Sequence, residues 1–512
     1  MEPNKMLISC IEDKDWDVLM TILKPKDFLV VVPRTMSDFI KVLRVAELLV
    51  NEDLQLPEEL INILLKCLAN SCVHSFYQKT YTPEGDISSY KNIYKFLFEE
   101  VSRLNEHIPY PCLTCFPYDS IVRWVVKIII ELSEAKKKLN DNQNDVLRLS
   151  LQFLCNFFTF SCKNSSAVDS VIKCIKLVGD DRAPIARVAC AYVHNMVKQH
   201  LQQFYTTIDK KQLTTELIKS TIADIRAALD ALSLLVNEPH YLKEVYNEIS
   251  IDDKLYLLDI IFQTVHSGPC NEGIENPTGL QIEVIEFLCD IFKKKSDAIF
   301  KSVDTEMSDL DITEITMLLD IIGIITSKSN KEQCKSLQDD TSFLINCLFL
   351  LKAVHLYGKQ SNNHFTPIQK LNDLTLNTQN NCCNEAEDPN NHVCFKSIEA
   401  HPAYRFKARL IRVIGNLVYK HKKNQNLIRE NDGIPLLLDC CNIDARNPMI
   451  TQWAILAIRN LLEDNPENQE VVHKSVKVGV FENSVVRTLG LTLHGEGEEN
   501  TIGIMPLPSK NN

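Results

Sequence analysis

Glycine is scarce in this chain, 14 of 512 residues, under half its usual share. That leaves little material for glycine-rich phosphate loops. Gly495-Glu496-Gly497 follows His494 among acidic neighbours and lacks the strand-then-helix setting of a nucleotide site. Surplus basic charge is also missing. There are 55 Lys and Arg against 67 Asp and Glu, a net charge of −12. Phosphate binding needs a strong basic footprint, so nucleic acid is not expected as a partner. Long apolar runs are broken as well. Ile121 to Leu132 is interrupted by Arg123, Trp124, Lys127 and Glu131, so no membrane span is expected. No His-Glu-x-x-His zinc helix and no Gly-x-Ser-x-Gly nucleophile elbow occurs. The expectation is a protein without catalytic residues, cofactor or metal.

Cysteine, by contrast, is plentiful, with 18 residues. Cys67, Cys155, Cys190, Cys289 and Cys347 sit inside apolar helical runs, where a free thiol packs as a small apolar group. Such positions suit a reducing compartment, and Met1-Glu2-Pro3-Asn4-Lys5 carries no signal-peptide pattern. The expected location is the cytosol. Cys112-Leu113-Thr114-Cys115 is a lone CxxC, and Cys382-Cys383 with His392 and Cys394 fits no common zinc module. Turn and polar-insertion thiols are the plainer reading, and a metal or redox site is the rival.

The feature that organises the chain is a repeat. Ile414-Gly415-Asn416-Leu417-Val418 recurs as Ile458-Arg459-Asn460-Leu461-Leu462, the asparagines 44 residues apart. Eight residues after each comes an Asn-Gln pair, Asn424-Gln425 and then Asn468-Gln469. Weaker echoes stand at Asn70, Asn156 and Asn195, and Asp290 occupies a similar place in a helix through Phe287 and Phe292. Matched spacing of this length predicts stacked helical repeats. Between the two C-terminal asparagines the sequence predicts three helices. The first carries Leu427 and Ile428 and stops at Asn431-Asp432-Gly433, with Gly433 suited to a left-handed backbone. Ile434-Pro435 starts the second. Asn447-Pro448 caps the third, whose core stripe is Ile450, Ala454, Ala457, Ile458 and Leu461.

The fold class expected is all-α, an armadillo-like helical-repeat solenoid in one or two lobes. Its parts are an N-terminal helical cap over 1–36, helical repeats over 37–356, and a polar, asparagine-rich insertion over 357–402. A C-terminal armadillo-like domain follows over 403–486, with a loose tail over 487–512.

The run from Phe406 to Val472 resembles the C-terminal domain of the ataxin-10 family. The resemblance rests on the repeated asparagine motif, on Asn431-Asp432-Gly433-Ile434-Pro435-Leu436, and on Gln452 to Leu461. It implies a cytoplasmic, non-enzymatic armadillo-repeat scaffold linked to neuron survival, neurite outgrowth and cytokinesis. It also implies association with the centrosome or basal body, and perinuclear or midbody locations. The alternative is an armadillo-type exchange factor or chaperone of small or heterotrimeric GTPases. The partners expected are proteins, engaged through a peptide or an acidic surface in a concave groove, and a homo-oligomer is compatible with the chain.

Residues three, four and seven apart share a helix face. Trp453, Leu456 and Asn460 therefore lie together, and Arg409, Arg412 or Val413, and Asn416 are their equivalents one repeat earlier. By resemblance to armadillo repeats these six line the groove, where an amide can both donate to and accept from a peptide backbone. The competing readings are asparagines bonded to their own next loop and Trp453 packed as core. Nuclear-import adaptors pair a tryptophan with an asparagine four residues later. Here Leu456 and Arg412 stand four before the asparagines, so cargo import is not expected. Arg405, Lys407, Arg409, Arg412, Lys420, Lys422, Lys423 and Arg429 make a basic segment, read as a solvated face or a strip for acidic partners.

Overall fold

The computed structural model describes residues 9–25, 56–81, 118–135, 137–160, 174–267, 278–296, 299, 309–328, 331–360, 363–368, 403–475, 491–496 and 501–506. They form two compact units, the first Met1–Val236 with His240–Ile249, the second Asn237–Pro239 with Ser250–Asn512.

In the first unit the helices are α1 (Trp16–Ile22), α2 (Glu58–Tyr81), α3 (Tyr118–Ser133), α4 (Asp141–Phe160), α5 (Ala183–Thr207), α6 (Lys210–Ile222), α7 (Arg226–Val236) and α8 (Pro239–Glu248). The sequence signals account for their limits. A proline opens α5, and Asp209 caps α6 by accepting the Gln212 N–H at 2.9 Å. Leu147, Leu151 and Leu154 follow helical steps of four and three on α4 and are fully buried. Helices α2, α4, α5 and α7 pack in a row, each against the next.

The second unit holds α9 (Ile251–Ser267), α10 (Ile282–Lys295), α11 (Asp309–Lys328), α12 (Lys331–Asp339), α13 (Thr341–Gln360), α14 (Phe406–Leu417), α15 (Lys422–Glu430), α16 (Gly433–Asp439), α17 (Ile450–Leu462) and α18 (Pro466–His473). Here α9, α11, α14 and α17 form the row. The all-α repeat stack expected from the sequence is thus what these residues build. The three helices between the repeated asparagines are α15, α16 and α17.

The structure departs from the sequence reading in several places. The expected boundary at 357–402 does not separate two bodies, because α11 and α13 before it pack on α14 after it. In a repeat stack the core runs between neighbouring helices, so an insertion in sequence need not interrupt it. The first residues of that insertion are packed. Phe365 and Ile368 are buried, and the Ile368 N–H donates to Asp444 Oδ1 at 3.0 Å. Within the expected loose tail, β1 (Leu491–Glu496) and β2 (Thr501–Pro506) pair antiparallel. Their alternating residues fit a strand rather than the helical period that fades after Val486.

Smaller corrections follow. Helix α13 is long and apolar enough by composition to cross a membrane, a test that a buried core helix passes equally. One of its faces is spent inside the unit, where Phe343, Leu344, Cys347, Leu351 and Val354 are buried. The left-handed residue before α16 is Asp432 (φ 59°) rather than Gly433. Gly433 is small for space, since a Cβ there would lie 2.5 Å from Ile428 Cγ2 and 2.9 Å from Ile428 O. Asn447 does not cap α17. Its Oδ1 accepts the Ala408 N–H in the first turn of α14 at 3.3 Å, and its Nδ2 donates to Asp444 at 2.8 Å. Asp290 lies on α10, outside the row, and pairs with Lys293 at 3.0 Å. The groups Cys112 with Cys115, and Cys382, Cys383, His392 and Cys394, lie outside the described residues. Among the described residues no cluster of His, Cys, Asp and Glu suits a metal.

Candidate partner-binding face

The repeated asparagines have one job in common. Asn460 Nδ2 on α17 donates to Gly415 O on α14 at 3.0 Å. Asn156 on α4 donates to Ala69 O on α2 at 3.0 Å, and Asn195 on α5 to Cys155 O on α4 at 3.5 Å. In all three pairs the accepting carbonyl belongs to the residue just before the asparagine of the preceding helix. Asn416 on α14 reaches Gly323 O at 3.5 Å and Thr326 Oγ1 at 3.0 Å on α11. Each asparagine therefore ties its helix to the neighbour before it in the row.

The Asn-Gln pairs serve the helix ends. The last carbonyls of an α-helix have no intrahelical donor. Asn424 Nδ2 donates to Leu417 O at 3.1 Å and to Gln338 O at 2.9 Å. One repeat later Asn468 Nδ2 donates to Leu461 O at 2.8 Å and to Gln425 O at 3.3 Å. Gln425 Nε2 bonds Asn460 O at 2.8 Å and Glu463 O at 3.3 Å. These amides satisfy buried carbonyls and fix the spacing of the repeats, with a net worth of about 1 kcal/mol per bond.

With the asparagines so engaged, the six sequence-derived residues divide. Asn460 is buried at 6% exposure, its amide N–H turned into the row. Asn416 is half-buried and held by α11. The other four lie on two adjacent helices, α14 and α17. Arg409 Nε pairs with Asp320 Oδ1 of α11 at 2.6 Å, and its Nη1 donates to Tyr404 O at 2.7 Å. The Arg412 guanidinium lies over the Trp453 ring, 5.3 Å from its centroid, while Nη2 donates to Ser327 Oγ at 3.2 Å. Trp453 and Leu456 are half-buried. Burial pushes the Arg412 guanidinium below its ordinary value, and Asp320 acts in the opposite direction.

Helix α11 supplies a third row that the sequence did not single out. Asp320, Gly323 and Ser327 meet Arg409, Asn416 and Arg412 of α14, but Ile324 stands after Gly323 where the ladder would place an asparagine. The repeat signal is therefore silent on this helix. The result is a face of Asp320, Arg409, Arg412, Trp453 and Leu456, part apolar and part charged. The basic segment around it is not one strip. Lys407 is buried, donating to Phe365 O at 3.1 Å, and Arg429 pairs with Glu467 at 2.8 Å.

Residues 406–502, from α14 into the hairpin, match the family model described as the spinocerebellar ataxia type 10 protein domain. Ataxin-10 of Xenopus tropicalis is 30% identical over 402 residues, 74% of this chain and 76% of that one. Ataxin-10 of Homo sapiens is 31% identical over 268 residues, 52% of this chain and 51% of that one. An ataxin-10 homolog of Dictyostelium discoideum is 45% identical over 105 residues, 20% of this chain and 17% of that one. With a helical row in each unit, a repeated asparagine ladder and 30% identity to a relative across 74% of the sequence, the chain belongs to the ataxin-10 family.

Proposed function

We propose that this protein is a non-enzymatic scaffold that holds partner proteins on the face formed by α11, α14 and α17. The observation that carries the reading is the separation of roles along these helices. Asparagines at one position lock the row, while Arg412, Trp453 and Leu456 stand outward with no structural ion pair of their own among the described residues. Aromatic and arginine side chains are favoured anchors at protein interfaces. The cellular role proposed is the one the family resemblance implies. It comprises neuron survival, neurite outgrowth and cytokinesis, in the cytoplasm and at the centrosome or basal body.

The test is partner capture with the full chain, wild type against a Trp453→Ala, Leu456→Ala double variant whose circular dichroism and melting temperature match the wild type. Loss of a subset of partners is the expected outcome. An unchanged partner list would refute the face as the binding surface. An exchange-factor role predicts faster nucleotide release from a captured GTPase, and no acceleration at saturating protein would remove it.

A further inference from the structure

We infer that the Arg412–Trp453 pair is the seat for a carboxylate side chain, Asp or Glu, of an extended partner segment laid across α11, α14 and α17. The inference rests on this face being the partner surface and goes on to say what chemistry it recognises.

Charge balance on the face supplies the first argument. Asp320 is the carboxylate closest to hand, and Arg409 holds it at 2.6 Å. Arg412 has no carboxylate within salt-bridge reach among the described residues, so the face carries two guanidiniums for one acid. The surplus cation is partly desolvated. Its Nε is buried and makes no hydrogen bond. A guanidinium in such surroundings gains more from an ionic partner than one in open water.

Pre-organisation supplies the second. The guanidinium is clamped between helices, with Trp453 at 5.3 Å and Gly323 on the other side. A Cβ at Gly323 would lie 3.6 Å from Nη1. Its Nη2 donates to Ser327, an exposed residue, so this end of the guanidinium lies beside solvent-facing structure. A planar fork held against a ring loses little freedom on binding and offers parallel N–H donors to a carboxylate. Trp453 and Leu456 provide apolar surface beside the seat, so the fitting segment carries apolar residues two positions from its acid. In an extended chain successive side chains point to opposite faces. Acid on the seat therefore leaves its second neighbours in reach of Trp453 and Leu456.

The experiment uses the full chain and two fluorescein-labelled peptides with amidated ends, one repeating Glu-Ser-Leu-Ser, the other Gln-Ser-Leu-Ser, so that acid or amide and leucine share one face. Anisotropy titration at low salt is expected to favour the Glu peptide by about tenfold, the worth of one charge-assisted contact. Arg412→Gln is expected to abolish that preference, and Arg412→Lys to keep part of it. Trp453→Leu should weaken it by loosening the clamp, while Arg405→Gln, on the exposed start of α14, should leave it within about twofold. Equal binding of the two peptides to the wild type overturns the inference, as does an Arg412→Gln variant that still prefers Glu. If that happens while captured partners still depend on Trp453 and Leu456, the face stands and only its acidic specificity falls. If neither measurement depends on these residues, both readings fall.

Discussion

Helices α14 and α17 are copies of one element set 44 residues apart, and they end up in different positions in the stack. Helix α14 is flanked in the row by α11 and α17, whereas among the described residues α17 is followed by the short α18 and by no further helix of the row. Equivalent residues record the difference. Ile411 on α14 is fully buried, while Ile455 on α17 is 58% exposed. Gly415 lets α17 approach so closely that a Cβ there would sit 3.1 Å from Ala457 Cβ. At the matching place α17 carries Arg459, a long charged side chain that bars a further helix at the same spacing. The repeat grammar therefore does two things. It builds the row through the asparagines, and at the last described helix of the row a long charged residue replaces the small one. End repeats of a stack commonly differ in this way, since one side meets water.

Making α14 resemble α17 should do the most damage. Gly415→Leu forces a side chain into the Ala457 contact and should cost about 3 kcal/mol in urea unfolding, against less than about 0.5 kcal/mol for Arg459→Leu. Equal effects at the two sites would show that the approach of α17 to α14 is not tight. Next comes the tie between the helices. Asn460→Ala leaves Gly415 O buried without its donor and should cost about 2 kcal/mol, more than Asn416→Ala, whose site is half-buried. The converse ranking would remove the ladder as a stabilising device.

A pH effect is expected to be smaller. Burial, reinforced by Lys359 and Lys407, holds His355 below the usual imidazole range, against the pull of Asp439. The unfolded chain then binds the proton more readily, so stability falls as pH drops through the ordinary histidine range and levels off below the lowered folded value. His355→Gln should flatten that part of the stability profile, and a profile unchanged by the substitution would contradict the assignment. The smallest effect belongs to the open side of α17, where Ile455→Ala should change stability by less than about 0.5 kcal/mol. A large loss there would mean that something covers the residue.

Much of this architecture was legible in the sequence. The asparagine spacing gave the period, and the expected stripe Ile450, Ala454, Ala457, Ile458 and Leu461 gave the buried side of α17 except at Ile458, which is half-buried. What the asparagines do was not legible. A side-chain amide late in a helix can reach its own loop, a neighbouring helix or a ligand, and spacing alone does not choose among them. Packing chooses, because it sets Gly415 O within 3.0 Å of Asn460. The role of α11 was hidden for a related reason. Ile324 replaces the signature residue, and Asp320 becomes notable only when Arg409, 89 positions later, lies against it. Asn447 misled because Asn-Pro before a helix is a local capping signal, while its actual partner is the Ala408 N–H of the preceding repeat.

The central claim is that one position on these helices holds the stack and another meets partners. The most direct test measures both properties on the full chain for Asn460→Ala and for Arg412→Gln with Trp453→Ala. Urea unfolding and partner capture should separate. The asparagine variant should lose about 2 kcal/mol of stability and keep its partners at temperatures where it stays folded. The face variant should stay within about 1 kcal/mol of wild type and lose partners. If the asparagine variant loses partners at full stability, or the face variant keeps them all, the division of labour is wrong.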